Sequence, residues 1–67
     1  MMDWQQIKAN WPQLHDAVRK RWSNLSDVEI ELAGGDRLRL VERLKTAYGI
    51  SREEARRQVD AWSRQLH

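Results

Sequence analysis

The sequence predicts a small all-α protein, a single domain over residues 1–67 that folds as a bundle of three to four short helices. Three observations lead to this fold class: apolar residues recur with helical spacing, capping residues precede those stretches, and glycines follow them. The chain has 67 residues and no cysteine, so its core is small and no disulfide holds it. Four tryptophans and no phenylalanine are present, and we expect the large indoles to fill that core.

The N-terminal part contains two helix starts separated by a break. Asp3, with Gln6 three residues later, is typical of the start of a short first helix. Pro12 suits the first turn of a second helix, because the missing N–H has no intrahelical partner there, and it disfavours helical geometry at Trp11. We therefore expect a break near Asn10. The second helix then carries one apolar stripe, formed by Trp11, Leu14, Val18, Trp22 and Leu25.

Residues 28–32 carry two conflicting signals. Ser26 with Glu29 has the spacing of a capping box, which indicates a helix start. The segment itself alternates between apolar and acidic residues with a period of two, which is typical of a strand. Because no other segment could pair with it and a lone strand is unstable, we predict a short helix that ends at Gly34-Gly35. A strand at this place would require a dimer.

The C-terminal part predicts two helices that meet near Gly49, which stands where a left-handed residue ends a helix. The first of them follows Asp36, and Ser51 with Glu54 predicts a capping box at the start of the second. Leu38 falls off the apolar arc, so we expect it to be exposed or to cover an end of the core. The inward residues are Leu40, Val41, Leu44, Ala47 and Tyr48 on one helix and Ala55, Val59, Trp62 and Leu66 on the other.

These last two helices have the outline of a helix–turn–helix motif. In that interpretation Arg52, Arg56 and Arg57 would contact an anion or a nucleic acid. Two positions disagree, because Lys45 stands where a small residue is needed and Gln58 where an apolar one is needed. Acidic residues also alternate with the arginines, whereas a phosphate-binding surface is basic throughout. Nucleic-acid binding is therefore an alternative and not the favoured function.

The sequence contains no motif for catalysis, a metal or a cofactor. His15 and His67 are the only histidines, and neither has a second histidine or a cysteine at the spacing of a zinc site. No serine lies in a nucleophile motif, and no glycine-rich loop suits a phosphate. We therefore expect a protein that is not an enzyme and that has no catalytic, cofactor-binding or metal-binding residues. Without a long apolar run or a signal-peptide pattern, we expect no transmembrane segment and a cytoplasmic location.

The net charge and the apolar residues that the predicted bundle does not bury indicate what kind of partner the protein could bind. A net charge of +2, from 12 basic and 10 acidic residues, is a weak field that identifies no partner. Short chains often complete their core by self-association. Trp4, Ile7, Ile30 and Leu38 are the apolar residues that one bundle accounts for least. We expect them at a weak homodimer contact or at a surface that docks a protein partner.

A set of aromatic, glycine and apolar positions resembles the signature of a known family. These positions are Asn10-Trp11, Trp22, Leu25, Gly35, Leu40, Tyr48-Gly49, Ala55 and Trp62. In them the sequence resembles the CsbD-like family of small bacterial stress-response proteins, over about residues 10–62. The family has no established activity, cofactor or active site, so the resemblance implies no functional residue.

Together with the apolar stripes, the resemblance gives a core signature centred on the aromatic residues Trp11, Trp22, Tyr48 and Trp62. The whole signature is Trp11, Trp22, Leu25, Leu40, Leu44, Tyr48, Gly49, Ala55, Val59 and Trp62. We therefore expect a small non-catalytic bacterial protein that is associated with the general stress response and acts by binding. The alternatives are a nucleic-acid-binding module and a module for protein–protein contact or self-assembly.

Overall fold

A computed structural model describes residues 2–66 and shows five α-helices over that range. The all-α class is confirmed, and the described residues contain no strand. The predicted total of three to four helices was too low, although the sequence marked both short segments, one at the N-terminus and one after Ser26, as helical. The helices are α1 (Trp4–Ala9), α2 (Trp11–Arg21), α3 (Asp27–Ala33), α4 (Arg37–Tyr48) and α5 (Arg52–Gln65).

The break between α1 and α2 lies at Asn10, as the sequence predicted. A capping box starts α1: Gln6 N donates to Asp3 Oδ1 at 2.9 Å, and Asp3 N donates to Gln6 Oε1 at 3.1 Å. Asn10 ends α1, and its side chain donates back to the Gln6 carbonyl at 2.8 Å. Pro12 occupies the first turn of α2, where a missing N–H leaves no carbonyl unpaired.

Residues 28–32 belong to helix α3, which confirms the predicted short helix and excludes the strand alternative. Ser26 and Glu29 form the complete capping box, with Glu29 N donating to Ser26 Oγ at 3.1 Å and Ser26 N donating to Glu29 Oε1 at 3.0 Å. The period-two pattern has a simple origin: α3 buries Ile30 and leaves the apolar residues on either side of it exposed. The helix ends at Gly34 in the left-handed conformation.

Helices α4 and α5 begin and end at the predicted places, with one difference at the start of α5. Gly49 ends α4 with φ +62°. Ser51 Oγ accepts from Glu54 N at 3.1 Å, but the Glu54 carboxylate does not return to the cap. It accepts instead from Gln58 Nε2 at 3.1 Å, one turn further along α5. The predicted capping box is therefore only half formed, because the Gln58 amide competes for that carboxylate.

The core is built around the ring of Trp62. Its centroid lies 5.5 Å from that of Trp22 and 6.4 Å from those of Trp11 and Trp4. Two of these indole N–H groups have partners in the protein: Trp11 Nε1 donates to the Ile30 carbonyl at 2.8 Å, and Trp22 Nε1 donates to Gln58 Oε1 at 2.9 Å. The buried cluster is Ile7, Trp11, Val18, Trp22, Leu25, Ile30, Ala33, Leu40, Val41, Leu44, Ala55, Val59 and Trp62.

Tyr48 does not lie at the centre of this core, and the prediction that placed it there was wrong. Its side chain is 36% exposed. The phenol oxygen accepts from Asn24 N at 3.1 Å, and Asn24 belongs to the turn between α2 and α3. Because the hydroxyl needs a polar partner, the ring lies along the edge of the core and ties the end of α4 to that turn.

Candidate docking groove between helices α3 and α4

Three aliphatic side chains remain exposed on neighbouring surfaces of α3 and α4. Val28 is 67%, Leu32 52% and Leu38 66% exposed. Val28 and Leu32 are four residues apart and therefore share one face of α3, whereas Leu38 lies in the first turn of α4. We call these three residues the exposed aliphatic patch.

The patch borders an open groove of about 460 Å³. This α3–α4 groove is lined by Leu32, Leu38, Arg39, Glu42, Arg43 and Thr46. Its volume lies within the range of roughly 300–1,000 Å³ that binding clefts in proteins occupy. Leucines supply its apolar surface, and charged side chains of α4 supply its polar rim.

Local sequence explains why α3 forms an apolar wall of the groove. In this short helix Ile30 and Ala33 are buried and hold α3 to the core. Val28 and Leu32 then point away from the core, because residues two apart lie on roughly opposite sides of a helix. The helix has no further layer over that side within residues 2–66, and the two side chains stay exposed.

The second wall is formed by α4 in a similar manner. Leu40, Val41 and Leu44 are its buried residues. With those positions turned inward, the helical repeat directs Leu38 and Thr46 to the outside, along the groove.

The charges available on the rim are positive. Glu42 Oε2 accepts from Arg52 Nε at 2.9 Å, so this carboxylate is already neutralised. Arg39 and Arg43 form no ion pair with any residue of the described range. The pKa of Glu29 lies below its ordinary value, mainly because Ser26 N donates to its carboxylate, and the charge of Arg43 lowers this pKa further. Two arginines without an ion pair, the exposed Arg39 and the half-buried Arg43, thus lie beside an apolar groove.

The opposite side of α3 is acidic. Asp27 Oδ1 accepts from Arg19 Nη1 at 2.8 Å, which places this carboxylate on the side of α2. Glu31 lies on the same side, where it lines a smaller recess of about 260 Å³ together with Trp11, Pro12 and His15. The exposed aliphatic patch therefore separates an acidic border on α3 from a basic border on α4.

The arginines predicted to contact a nucleic acid lie on α5, and two of the three are paired with carboxylates. Arg52 is paired with Glu42. Arg57 lies 3.5 Å from Glu53 and 3.6 Å from Glu54. The third residue, Arg56, is exposed and has no ion pair within residues 2–66. Contact of these residues with an anion or a nucleic acid stays a prediction.

The structure shows where the two residues lie that do not fit a helix–turn–helix motif. Lys45 is exposed on α4. Gln58 is half-buried on α5, where it bridges Trp22 and Glu54. An amide at this position satisfies the indole N–H of Trp22, which an apolar side chain would leave without a partner.

The residues predicted for a dimer or docking contact divide into two groups. Ile7 and Ile30 are completely buried, so their assignment to a surface was wrong; both fill the core under α1 and α3. Trp4 is half-buried against Trp62, and Leu38 is exposed as one of the alternatives expected. Sequence reasoning missed Val28 and Leu32, although the helical interpretation of their segment places both opposite Ile30.

Metal ligands do not cluster in this structure. No group of three histidine, cysteine or carboxylate side chains within residues 2–66 could hold a metal ion. His15 borders the recess beside α3, and His67, the other histidine, lies outside the described residues. Across the same part of the chain, no helix is both long and apolar enough to cross a membrane.

These features define a small five-helix protein whose distinguishing surface is an apolar groove with a basic rim. Curated relatives match it over most of its length. UPF0337 protein NE2439 of Nitrosomonas europaea is 38% identical over 63 residues, which cover 94% of this chain and 67% of the relative. UPF0337 protein PA4738 of Pseudomonas aeruginosa is 37% identical over 90% of this chain and 92% of its own. UPF0337 protein RPA4217 of Rhodopseudomonas palustris is 33% identical over 91% and 92%.

The chain therefore belongs to the UPF0337 family. The CsbD-like family, which the sequence resembles, is the same family under another name. No family model matches the chain, and no solved structure matches it significantly. The names of the relatives state no activity, substrate or partner.

Proposed function

We propose that this protein is a non-catalytic docking protein whose α3–α4 groove binds an apolar helical segment of a protein partner. One observation carries the proposal: the exposed aliphatic patch stands beside a groove of about 460 Å³, although buried residues elsewhere form a continuous core. Contiguous apolar surface bordered by polar residues is typical of sites of protein interaction.

The shape and charge of the groove indicate the kind of segment that fits. The groove lies between two helices and has leucines in its lining, and an amphipathic helix can lay its apolar face into a groove of this kind. Arg39 and Arg43 have no ion pair among residues 2–66, so acidic residues beside the apolar face of the incoming helix would complement them. The proposed ligand is therefore an amphipathic helix with an acidic border.

The biological setting of this proposal comes from the family. Its relatives are bacterial proteins. The resemblance to the CsbD-like family implies a role in the general stress response. We place the docking activity in the bacterial cytoplasm during that response. The alternative of nucleic-acid binding through Arg52, Arg56 and Arg57 has less support, because two of these three arginines are already paired with carboxylates.

A titration followed by NMR tests the proposal. The isotope-labelled protein is titrated with a designed amphipathic helix that carries leucines on one face and glutamates on its border. We expect amide shifts concentrated in α3 and α4, because the peptide buries Leu32 and Leu38. Leu38→Glu should abolish them, since it places an acid against both the apolar face and the acidic border of the peptide.

Two controls make the titration decisive. Ala61→Glu adds the same charge at an exposed position of α5 outside the groove lining, and it should bind the peptide as the unaltered protein does. A peptide with lysines in place of the glutamates should bind more weakly. An absence of shifts, or shifts that persist in Leu38→Glu, would contradict the proposal.

A further inference from the structure

We infer that the helix that enters the α3–α4 groove is α3 of a second copy of this chain, so that two copies associate reciprocally. This inference rests on the proposed function and names the partner. The chain itself supplies a helix with the properties that the groove requires, and α3 is that helix.

The exposed face of α3 matches the ligand chemistry. Val28 and Leu32 form a short apolar ridge with more than half of each side chain exposed. Glu31 borders this ridge on the side away from the groove and has no ion pair within residues 2–66, whereas the Asp27 carboxylate on the same side is already paired with Arg19. An apolar ridge with an acidic border is the complement of a groove whose leucine wall carries a basic border.

The position of α3 makes the contact reciprocal. The helix is both the candidate ligand and one wall of the groove, and Leu32 belongs to both surfaces. A two-fold axis near Leu32 would therefore place α3 of each copy against α4 of the other, with Glu31 facing the partner's Arg39. Contacts of this isologous kind, in which the same patch is used on both copies, are the commonest in homo-oligomers.

The size of the patch sets the strength of the association. Stable dimers bury about 800 Å² on each partner, whereas three aliphatic side chains and a charged border offer less. We therefore expect a weak dimer that forms at high protein concentration and dissociates on dilution. Its reciprocal ion pairs are rim contacts, so raised salt should weaken it.

Sedimentation equilibrium of charge-reversed variants tests the inference. Glu31 and Arg39 are both exposed and have no ion pair within residues 2–66, so Glu31→Lys and Arg39→Glu should leave the fold intact. Each variant alone brings like charges together at both contacts and should associate about tenfold more weakly than the unaltered chain. An equimolar mixture restores opposite charges at both contacts, and it should recover association as a mixed dimer.

Controls separate the specific contact from general effects. Lys20→Glu makes the same change in net charge as Arg39→Glu, but on α2, and should associate as the unaltered chain does. Circular dichroism melting of each variant verifies that it is folded. If the unaltered chain associates but the mixed variants do not recover association, the contact lies elsewhere and the inference is wrong.

Sedimentation of the unaltered chain and the peptide titration together distinguish this inference from the proposed function. An unaltered chain that stays monomeric at about 1 mM would overturn the second-copy inference. A dissociation constant above that concentration means that the contact is too weak to hold two copies together. The docking proposal would survive that result if the glutamate-bordered peptide still shifted the amides of α3 and α4. Loss of both signals would end both proposals.

Discussion

At the scale of single residues, the aromatic side chains divide between the core and its edge. Helical spacing alone predicted burial for Trp11, Trp22 and Trp62, which are at most 5% exposed. The same spacing placed Tyr48 among them, because helical spacing identifies the inward face of a helix but does not show where along the helix axis the core ends. Tyr48 lies at the edge of the core because it is in the last turn of α4, where its hydroxyl oxygen accepts from Asn24 N.

Trp62 should be the tryptophan whose loss costs most, because three other indoles contact its ring. Truncation of a large core side chain costs about 3–5 kcal/mol, a major part of the roughly 5–15 kcal/mol that stabilises a typical domain. We expect Trp62→Ala to lower the free energy of unfolding by that amount in urea denaturation followed by circular dichroism. Trp4→Ala, at a half-buried ring of the same cluster, should cost clearly less. Equal losses would show that the cluster is not centred on Trp62.

At the scale of helices and turns, sequence predicted starts and ends better than it predicted contacts. Caps such as Ser26 and the left-handed residue Gly49 are local features, set by neighbours in sequence. Gly35 was predicted only to follow the end of α3 and to belong to a family signature, whereas its role depends on a distant element. A Cβ built on Gly35 would lie 2.6 Å from Lys8 Cα, so the turn between α3 and α4 lies directly against the backbone of α1.

This close contact predicts unequal effects for two glycine substitutions. Gly35 and Gly49 both have positive φ, at +79° and +62°, so alanine strains the backbone at either position. Alanine at Gly49 meets no atom within 4 Å and should cost about 1 kcal/mol. Gly35→Ala must in addition displace α1, and we expect a larger loss of unfolding free energy in the same urea assay. A smaller loss for Gly35→Ala than for Gly49→Ala would contradict the packing of α1 on that turn.

At the scale of the whole molecule, the groove depends on how α3 and α4 are placed relative to each other, which sequence reasoning could not predict. Periodicity identifies the buried face of α3 and of α4 separately. Their relative placement, with Leu32 beside Leu38, depends on the turn at Gly34 and Gly35 and on packing with the rest of the core. The ion pair between Arg37 and Asp60 is equally non-local, since it joins α4 to α5 across 23 positions of sequence.

That ion pair predicts how the stability of the whole molecule depends on pH. Arg37 donates twice to the Asp60 carboxylate at 3.0 Å, which holds the pKa of Asp60 below its ordinary value. The folded state therefore binds a proton less readily than the unfolded chain. The stabilisation is fully present above the pKa of an unfolded aspartate, about 4, and is lost as the pH falls through the folded pKa. Raising the pH further should add nothing from this pair.

Thermal melting between about pH 6 and pH 2 measures this effect, because the range starts above the pKa of an unfolded aspartate and extends well below it. We expect the melting temperature of the unaltered protein to fall with pH more than that of Asp60→Asn, so that the two converge in acid. Asp16→Asn is a matched control, since Asp16 is exposed and its one ion pair within residues 2–66 is with its helical neighbour Arg19, at 3.5 Å. It should retain the acid dependence of the unaltered protein, because a longer and more exposed pair is screened by water and contributes little. If Asp60→Asn and the unaltered protein instead melt with the same pH dependence, the junction of α4 and α5 does not depend on this pair.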